Sequence, residues 1–251
     1  MSVFVATRAF SVSQRAVLQS DCKIATVLHV KQEAPLLSER QDRRKARTRA
    51  AVMAAAQRLF LQRGYHASTL EAIADAADVA VRSVYVHFGD KAGLYSALLD
   101  EALKLDKHYC DEGWESGEGP VGRMFGLADG YLRFCRNHPE LFKIFRFPPP
   151  DAADAAGLEA ASGRVATRVR SEVARMTDAV SEAVECGQIR PVPAEATAAF
   201  LWAAWDGVLV CSIQPDHLGL TDTEFEAVLD QARTVLAAGL LQPVDAREDR
   251  P

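Results

Sequence analysis

Two short apolar stripes separated by a tight turn constrain this chain more than any other feature. In the segment from Ser68 to Phe88, Leu70, Ile73, Ala74 and Ala77 recur at helical spacing. A three-residue turn containing Val79 follows, and Val84 and Phe88 then mark a second stripe. Residues three and four apart share one helix face, so each stripe buries one side of a short helix. The small Ala74 and Ala77 let the two helices approach closely. Val52, Ala56, Leu59 and Phe60 lie ahead of them and cover this small core with a third helix. Two helices joined in this way fit a helix-turn-helix, whose second helix enters the DNA major groove. By itself the same trio suits any small helical bundle.

Charge separates those alternatives. From Arg43 to Tyr65 there are seven basic residues (Arg43, Arg44, Lys45, Arg47, Arg49, Arg58 and Arg63) and no acid. Residues 1–99 carry 14 Lys and Arg against 8 Asp and Glu, whereas residues 100–251 carry 15 against 26. A charge run alone can be a solvated helix face. A cationic front on an acidic rear, next to a helix-turn-helix pattern, points instead to a polyanionic partner.

The remaining chain reads as helix almost throughout. Spacing predicts helices at about 44–63, 70–77, 81–87, 91–112, 120–137, 139–146, 155–187, 194–213 and 222–241. Gly64 is placed to cap the first, Ser68-Thr69 to open the second, and Pro148 to Pro150, Pro191 and Pro193 to break others. No internal repeat is visible. At 251 residues, 49% hydrophobic and 25% charged, the composition is that of a soluble protein able to bury a core. The longest apolar stretch, Ala196–Ile213, is interrupted by Asp206 and reads as a buried helix rather than a membrane span. Five cysteines without a CxxC pair suit reduced thiols and a cytoplasmic setting. Residues 1–42 show no core-forming pattern. The first twenty bear a faint likeness to a transit peptide, and the whole segment reads as a disordered extension or a start assigned too far upstream. Residues 243–251 read as a flexible tail.

Residues 44–100 resemble the tetracycline-repressor (TetR) family of bacterial transcription regulators. The likeness is carried by Ala55-Ala56, Leu59-Phe60, Gly64-Tyr65, Ser68-Thr69, Ile73-Ala74, Val79 and Leu94-Tyr95, and above all by the run Tyr85-Val86-His87-Phe88-Gly89-Asp90-Lys91. It implies an all-α protein: a three-helix helix-turn-helix domain at 43–92, then a helical ligand-binding and dimerisation domain at 93–242. Two positions depart from the family pattern, Asp78 where a turn glycine is usual and Ala80 where Ser or Thr caps the recognition helix. Thr69 and Lys91, each at a helix start, are expected to hold phosphates, helped by free backbone N–H groups. Tyr85 and His87 are expected to reach the DNA backbone; core-edge packing and plain surface exposure are their alternatives. Val81, Arg82, Ser83 and Val86 are the candidate base readers, with Arg82 on a guanine or on phosphate alone and the valines against thymine methyls. Arg47, within the basic arm, would cross phosphates or probe the minor groove.

The resemblance further implies a dimer built from the last two helices, with Trp205, Leu209, Leu229 and Leu236 at the interface, as a palindromic operator requires. Intramolecular core is the alternative for these residues. An inducer pocket is implied among Phe125, Tyr131, Phe134, Phe142, Phe145, Met176, Trp202 and Asp206, with Arg133 and Arg136 as further polar candidates. Core packing is the alternative for the aromatic residues and a paired structural charge for Asp206. No catalytic, metal or cofactor site is assigned. Gly117–Gly122 spells GxGxxG but follows a helix and contains Pro120, while His108 and Cys110, two apart on a helix, point to different sides. The expectation is a cytoplasmic, homodimeric, non-enzymatic regulator of double-stranded palindromic DNA. It would be a repressor released by a small, largely apolar inducer. The rival is a dimeric architectural or adaptor protein on DNA with no small-molecule pocket.

Overall fold

The computed structural model describes residues 39–146, 155–213 and 220–241. Nine helices occur among them: α1 (39–63), α2 (Leu70–Ala76), α3 (Val81–Phe88), α4 (Lys91–Ser116), α5 (Gly119–Asn137), α6 (Pro139–Arg146), α7 (Ala155–Glu185), α8 (Ala194–Ile213) and α9 (Asp222–Leu240). The only β pairing among the described residues is an isolated bridge between Ile189 and Leu241. Residues 1–38 and 242–251, and with them most of the expected extension and the whole expected tail, lie outside the described residues, as do Phe147 and Pro148–Pro150.

The chain divides into two units, 1–51 and 52–251. In the first, helix begins at residue 39 rather than near 44, so residues 39–42 are not the disordered end expected of them. Glu39, Arg40 and Gln41 are good helix formers, and Glu39 stands four residues ahead of Arg43, a spacing that favours helix. Arg43, Arg44, Lys45, Arg47 and Arg49 are all exposed.

In the second unit Val52, Ala55, Ala56, Leu59 and Phe60 share one core with Tyr65, Ile73, Ala74 and Val84, and with Leu94, Tyr95 and Leu98 of α4. The Tyr65 and Tyr95 rings meet edge to face at 5.6 Å. α4 runs unbroken for 26 residues through the boundary expected at 92/93, and its first turns belong to the core of the helix-turn-helix.

Beyond that point α4 packs on α5 through glycines. A Cβ at Gly113 would lie 2.0 Å from the Gly126 carbonyl oxygen, one at Gly126 would lie 2.0 Å from that of Gly113, and one at Gly130 would lie 2.3 Å from that of Tyr109. Only residues without a side chain permit this approach. The GxGxxG run belongs to the same crossing: a Cβ at Gly117 would stand 2.4 Å from Gly122.

The remaining helices close around this pair. Trp205 of α8 donates its indole N–H to the Ala128 carbonyl of α5 at 2.8 Å. Trp205, Leu209 and Leu229 are buried within a single chain, which corrects their expected place at a dimer interface. α8 is apolar on all sides, so one face turns inward and another outward. Phe200 is 60% exposed, and Ala199, Ala203 and Gly207 lie exposed along the same side. On α9 it is Val235 (56%) and Val228 (37%) that face outward, while Leu236 is half-buried. The stretch Ala194–Cys211 has a mean hydropathy of 1.2, is long and apolar enough to cross a membrane, and is only 22% buried. The expected buried helix is thus a largely uncovered one.

Candidate nucleic-acid interface and ligand cavity

The helix-turn-helix is held by local chemistry. Gly64 ends α1 with φ +81, a conformation that costs glycine nothing. Ser68 Oγ donates to the Gly64 carbonyl at 2.8 Å, and Thr69 Oγ1 accepts from the Ala72 N–H at 3.1 Å as the N-cap of α2. In the turn Asp78 takes φ 53, the left-handed value that glycine usually supplies. Ala80 caps α3 with no side-chain hydrogen bond.

Val84 is fully buried, so α3 is oriented by its packing and turns Val81, Arg82, Tyr85 and Val86 outward; Val86 is 75% exposed. Ser83 and His87 flank this face half-buried, and Thr69 is exposed. Asp90 Oδ1 caps α4 by accepting from the Gly93 N–H at 2.7 Å. Lys91 Nζ donates to the Tyr65 carbonyl at 3.1 Å and the His66 carbonyl at 3.4 Å, and sits 4.5 Å from the centre of the Tyr65 ring. Its ammonium ties α4 to the loop between α1 and α2, leaving one N–H of three for an external anion.

The second site lies among α4 to α9. A narrow apolar cavity of about 80 Å³ is lined by Met124, Phe125, Tyr131, Phe145, Met176 and Trp202, with the charged Asp106, Arg168 and Glu172 in its wall. A second cavity of about 490 Å³ shares Phe145, Val169 and Trp202 with the first and adds Tyr95, Arg146 and Asp206. Of the expected pocket residues, Phe134 and Phe142 line neither. Both are wholly buried, with rings edge to face at 6.3 Å. They fill the α5–α6 core, so enlarging Phe134 would overpack that core rather than fill a cavity. Arg133 pairs with Glu112 and Asp129, and Arg136 with Glu226, on the surface rather than in the pocket.

Asp206 is both paired and cavity-facing. Tyr131 Oη donates to its Oδ1 at 3.0 Å and Arg146 Nε to its Oδ2 at 3.0 Å. Burial first, then neighbouring Cys135 and Asp206, holds the Tyr131 hydroxyl well above its ordinary pKa, so it remains a donor.

The polar wall of the first cavity was not legible as such. Arg168 Nε donates to Asp106 Oδ2 at 2.6 Å, Arg168 Nη1 pairs with Glu172, and Arg175 Nη1 stands 3.3 Å from Glu172 and 2.8 Å from Asp111. Burial pushes the Asp106 carboxyl up against the pull of Arg168. For Arg168 burial opposes the charge, but the Asp106 and Glu172 carboxylates outweigh it and hold the guanidinium protonated. Cys110 donates its thiol to Asp106 at 3.7 Å, and burial pushes that thiol, like Cys135, far above its ordinary range. These are packing thiols rather than nucleophiles. A signal did exist: Leu98, Ala102, Asp106 and Cys110 recur every fourth residue, and Val165, Val169, Glu172 and Met176 share one face, so a charge interrupts each apolar row.

A short helix exposing Val81, Arg82, Tyr85 and Val86 from a helix-turn-helix core, beside a second set of helices, is the form of a DNA-binding regulator. The chain matches, over residues 52–98, the bacterial regulatory proteins of the tetR family. It is 26% identical over 147 residues to YhgD, an uncharacterised HTH-type transcriptional regulator of Bacillus subtilis strain 168, covering 59% of this chain and 74% of that protein. The ketosteroid transcriptional regulator KstR2 of Mycobacterium tuberculosis has the same fold, with a TM-score of 0.62 at 19% identity over 78% of this chain and 95% of that one. SmeT, solved in complex with triclosan, superposes with a TM-score of 0.58 at 21% identity over 81% and 99%. The relatives are regulators of transcription, not enzymes.

Proposed function

We propose that the protein is a homodimeric repressor of the cytoplasm that occupies a palindromic operator and leaves it when a small apolar inducer enters the cavity. The observation that carries this reading is the continuity of α4. Its first turn is tied to the α1–α2 loop by Lys91, and its Asp106 and Cys110 line the cavity. An inducer that alters the cavity wall therefore acts on the element that sets where the helix-turn-helix sits. It shifts the equilibrium only by its differential affinity for the two states. That SmeT is solved with triclosan supports a small-molecule role for a cavity in this fold.

In this reading Val81, Arg82, Ser83 and Val86 read base edges. Thr69, Tyr85, His87 and Lys91 meet the phosphate backbone, and Arg47 with its basic neighbours extends the contact. Phe125, Tyr131, Phe145, Met176 and Trp202 receive the inducer, with Asp206 in the adjoining space. The outward faces of α8 and α9, around Phe200 and Val235 and reaching Leu236, form the two-fold interface. Selection of bound sequences from a random pool should return a palindrome, with affinity falling steeply as salt rises. Arg82→Ala should relax selectivity at one base pair by roughly 1–3 kcal/mol. Unchanged base preference in that variant would remove Arg82 from the readout, and binding without a recurring palindrome would remove the operator reading.

A further inference from the structure

The larger of the two cavities has an excess of positive charge on its wall. Small-molecule sites occupy roughly 300–1,000 Å³. The second cavity, at about 490 Å³, falls in that range, whereas the first, at about 80 Å³, does not. The charged residues lining the second are Arg146, Arg170 and Asp206. Asp206 is buried and accepts from Tyr131 on one oxygen and from Arg146 on the other. Both arginines are accessible: the Arg146 side chain is 41% exposed, and Arg170 is exposed. The bond to Asp206 holds Arg146 at the wall, and Arg170 donates from Nη2 to Thr167 at 3.3 Å. Leu99, Ile144, Val165, Val169 and Trp202 make the lining otherwise largely apolar.

Charge decides which head group fits. Two guanidiniums against one carboxylate leave one positive charge on this wall, which a single negative charge neutralises. A cation would add to the excess, and a neutral group would leave it in place. Among anions a carboxylate matches the planar fork of arginine. The first cavity offers no such excess, because its Arg168 already lies between Asp106 and Glu172. Phe145, Val169 and Trp202 belong to both walls and so give a hydrocarbon chain an apolar face to lie on. Resting on the reading of the cavities as the inducer site, we propose that the second cavity binds an amphiphilic carboxylate. Its head group lies at the wall that holds Arg146 and Arg170, and its tail against Val169 and Trp202.

The test uses the full-length protein and three probes of one chain length: decanoate, 1-decanol and decyltrimethylammonium. Each is titrated below its micellar concentration against tryptophan fluorescence, since Trp202 lines the cavity. Release of operator DNA is measured separately. Decanoate should bind at least about tenfold tighter than decanol, with the ammonium probe weakest. Arg170→Gln removes an exposed charge, and should reduce the preference for decanoate over decanol about threefold. Arg136→Gln removes the same charge from the surface pair with Glu226, and should leave that preference unchanged. Tightest binding by decanol or by the ammonium probe would overturn the carboxylate proposal and leave the cavity reading standing. A preference unchanged in Arg170→Gln, or reduced equally in Arg136→Gln, would overturn the assignment of the head group to this wall. Tight decanoate binding without operator release would support the site and overturn its role in induction. No binding of any probe would overturn the cavity reading and this proposal together.

Discussion

Replacing Gly126 by alanine should destabilise the protein, although the same change at an unconstrained helical position stabilises. At an open site the exchange gains about 0.5–1 kcal/mol, because glycine loses more backbone freedom on folding. Gly163 in α7 is such a site: it is exposed, and an added Cβ meets nothing within 4 Å. At Gly126 the new Cβ would lie 2.0 Å from the Gly113 oxygen and 2.8 Å from its carbonyl carbon, where 3.4 Å is ordinary contact. The obstacle is main chain in the last turn of α4, which unlike a side chain cannot rotate aside, so α5 must withdraw from α4 by about an ångström or more. Overpacking of this kind costs about 1–3 kcal/mol, and a backbone obstacle places the cost toward the upper end. Set against the entropic gain, the net loss is on the order of 2 kcal/mol, or roughly 4–8 °C in Tm for a chain of this size. Urea denaturation of the Gly126→Ala and Gly163→Ala variants, fitted with a common m value, measures the difference directly. If Gly126→Ala proved as stable as Gly163→Ala, the close crossing of α4 and α5 would be wrong.

Phe200→Glu or Val235→Glu should convert the proposed dimer to a folded monomer in sedimentation, with operator binding lost alongside. A dimer that persists in both would move the interface away from α8 and α9. Ala80→Ser should supply the side-chain cap that α3 lacks and raise stability by about 1 kcal/mol in thermal unfolding; no gain would mean that its backbone N–H groups are already satisfied. α9 opens with a reciprocal cap in which Thr221 and Glu224 serve each other. The Thr221 N–H and hydroxyl hold the Glu224 carboxyl below its ordinary value. Its stabilising effect is therefore present above that ordinary value and lost as pH falls through the lowered one. The gap in unfolding midpoint between the unaltered protein and Glu224→Gln should close on acidification, and a gap constant with pH would exclude the capping role.

Local signals located most of the fold. Pro139 and the prolines after Phe147 bracket α6, and Pro193 stands just before α8, so both helices fall at 139–146 and 194–213 as read from spacing. The exposed face of α3 was legible too, because buried Val84 leaves only one way for α3 to present Arg82 and Val86. Depth in the rear half was not. Phe134 and Phe145 are both apolar and eleven residues apart, yet only Phe145 borders the cavity. What separates them is which distant helix packs against each, a non-local fact. α8 posed the harder case. With apolar residues all round, periodicity gives no inward face, and the choice is made by the bond from Trp205 to Ala128, 77 residues away. The inward set Trp205 and Leu209 was consequently exchanged with the outward Phe200 and its small neighbours.

The unbroken length of α4 has a geometric consequence. Counting from the glycine crossing at Gly113 back to Lys91, the helix spans roughly 33 Å at 1.5 Å per residue. A tilt of only about 5° about that crossing sweeps the Lys91 end through ~3 Å, a radius effect that needs no bending. Because Lys91 is bonded to the carbonyls of Tyr65 and His66, the sweep carries the whole DNA-reading head with it rather than sliding the helix beneath. In a two-fold pair both heads move, so their separation changes by up to ~6 Å against the 34–36 Å turn of DNA they must match. A seesaw pivoted so far from its load turns a sub-ångström adjustment near the pivot into a misfit that base-edge hydrogen bonds cannot follow.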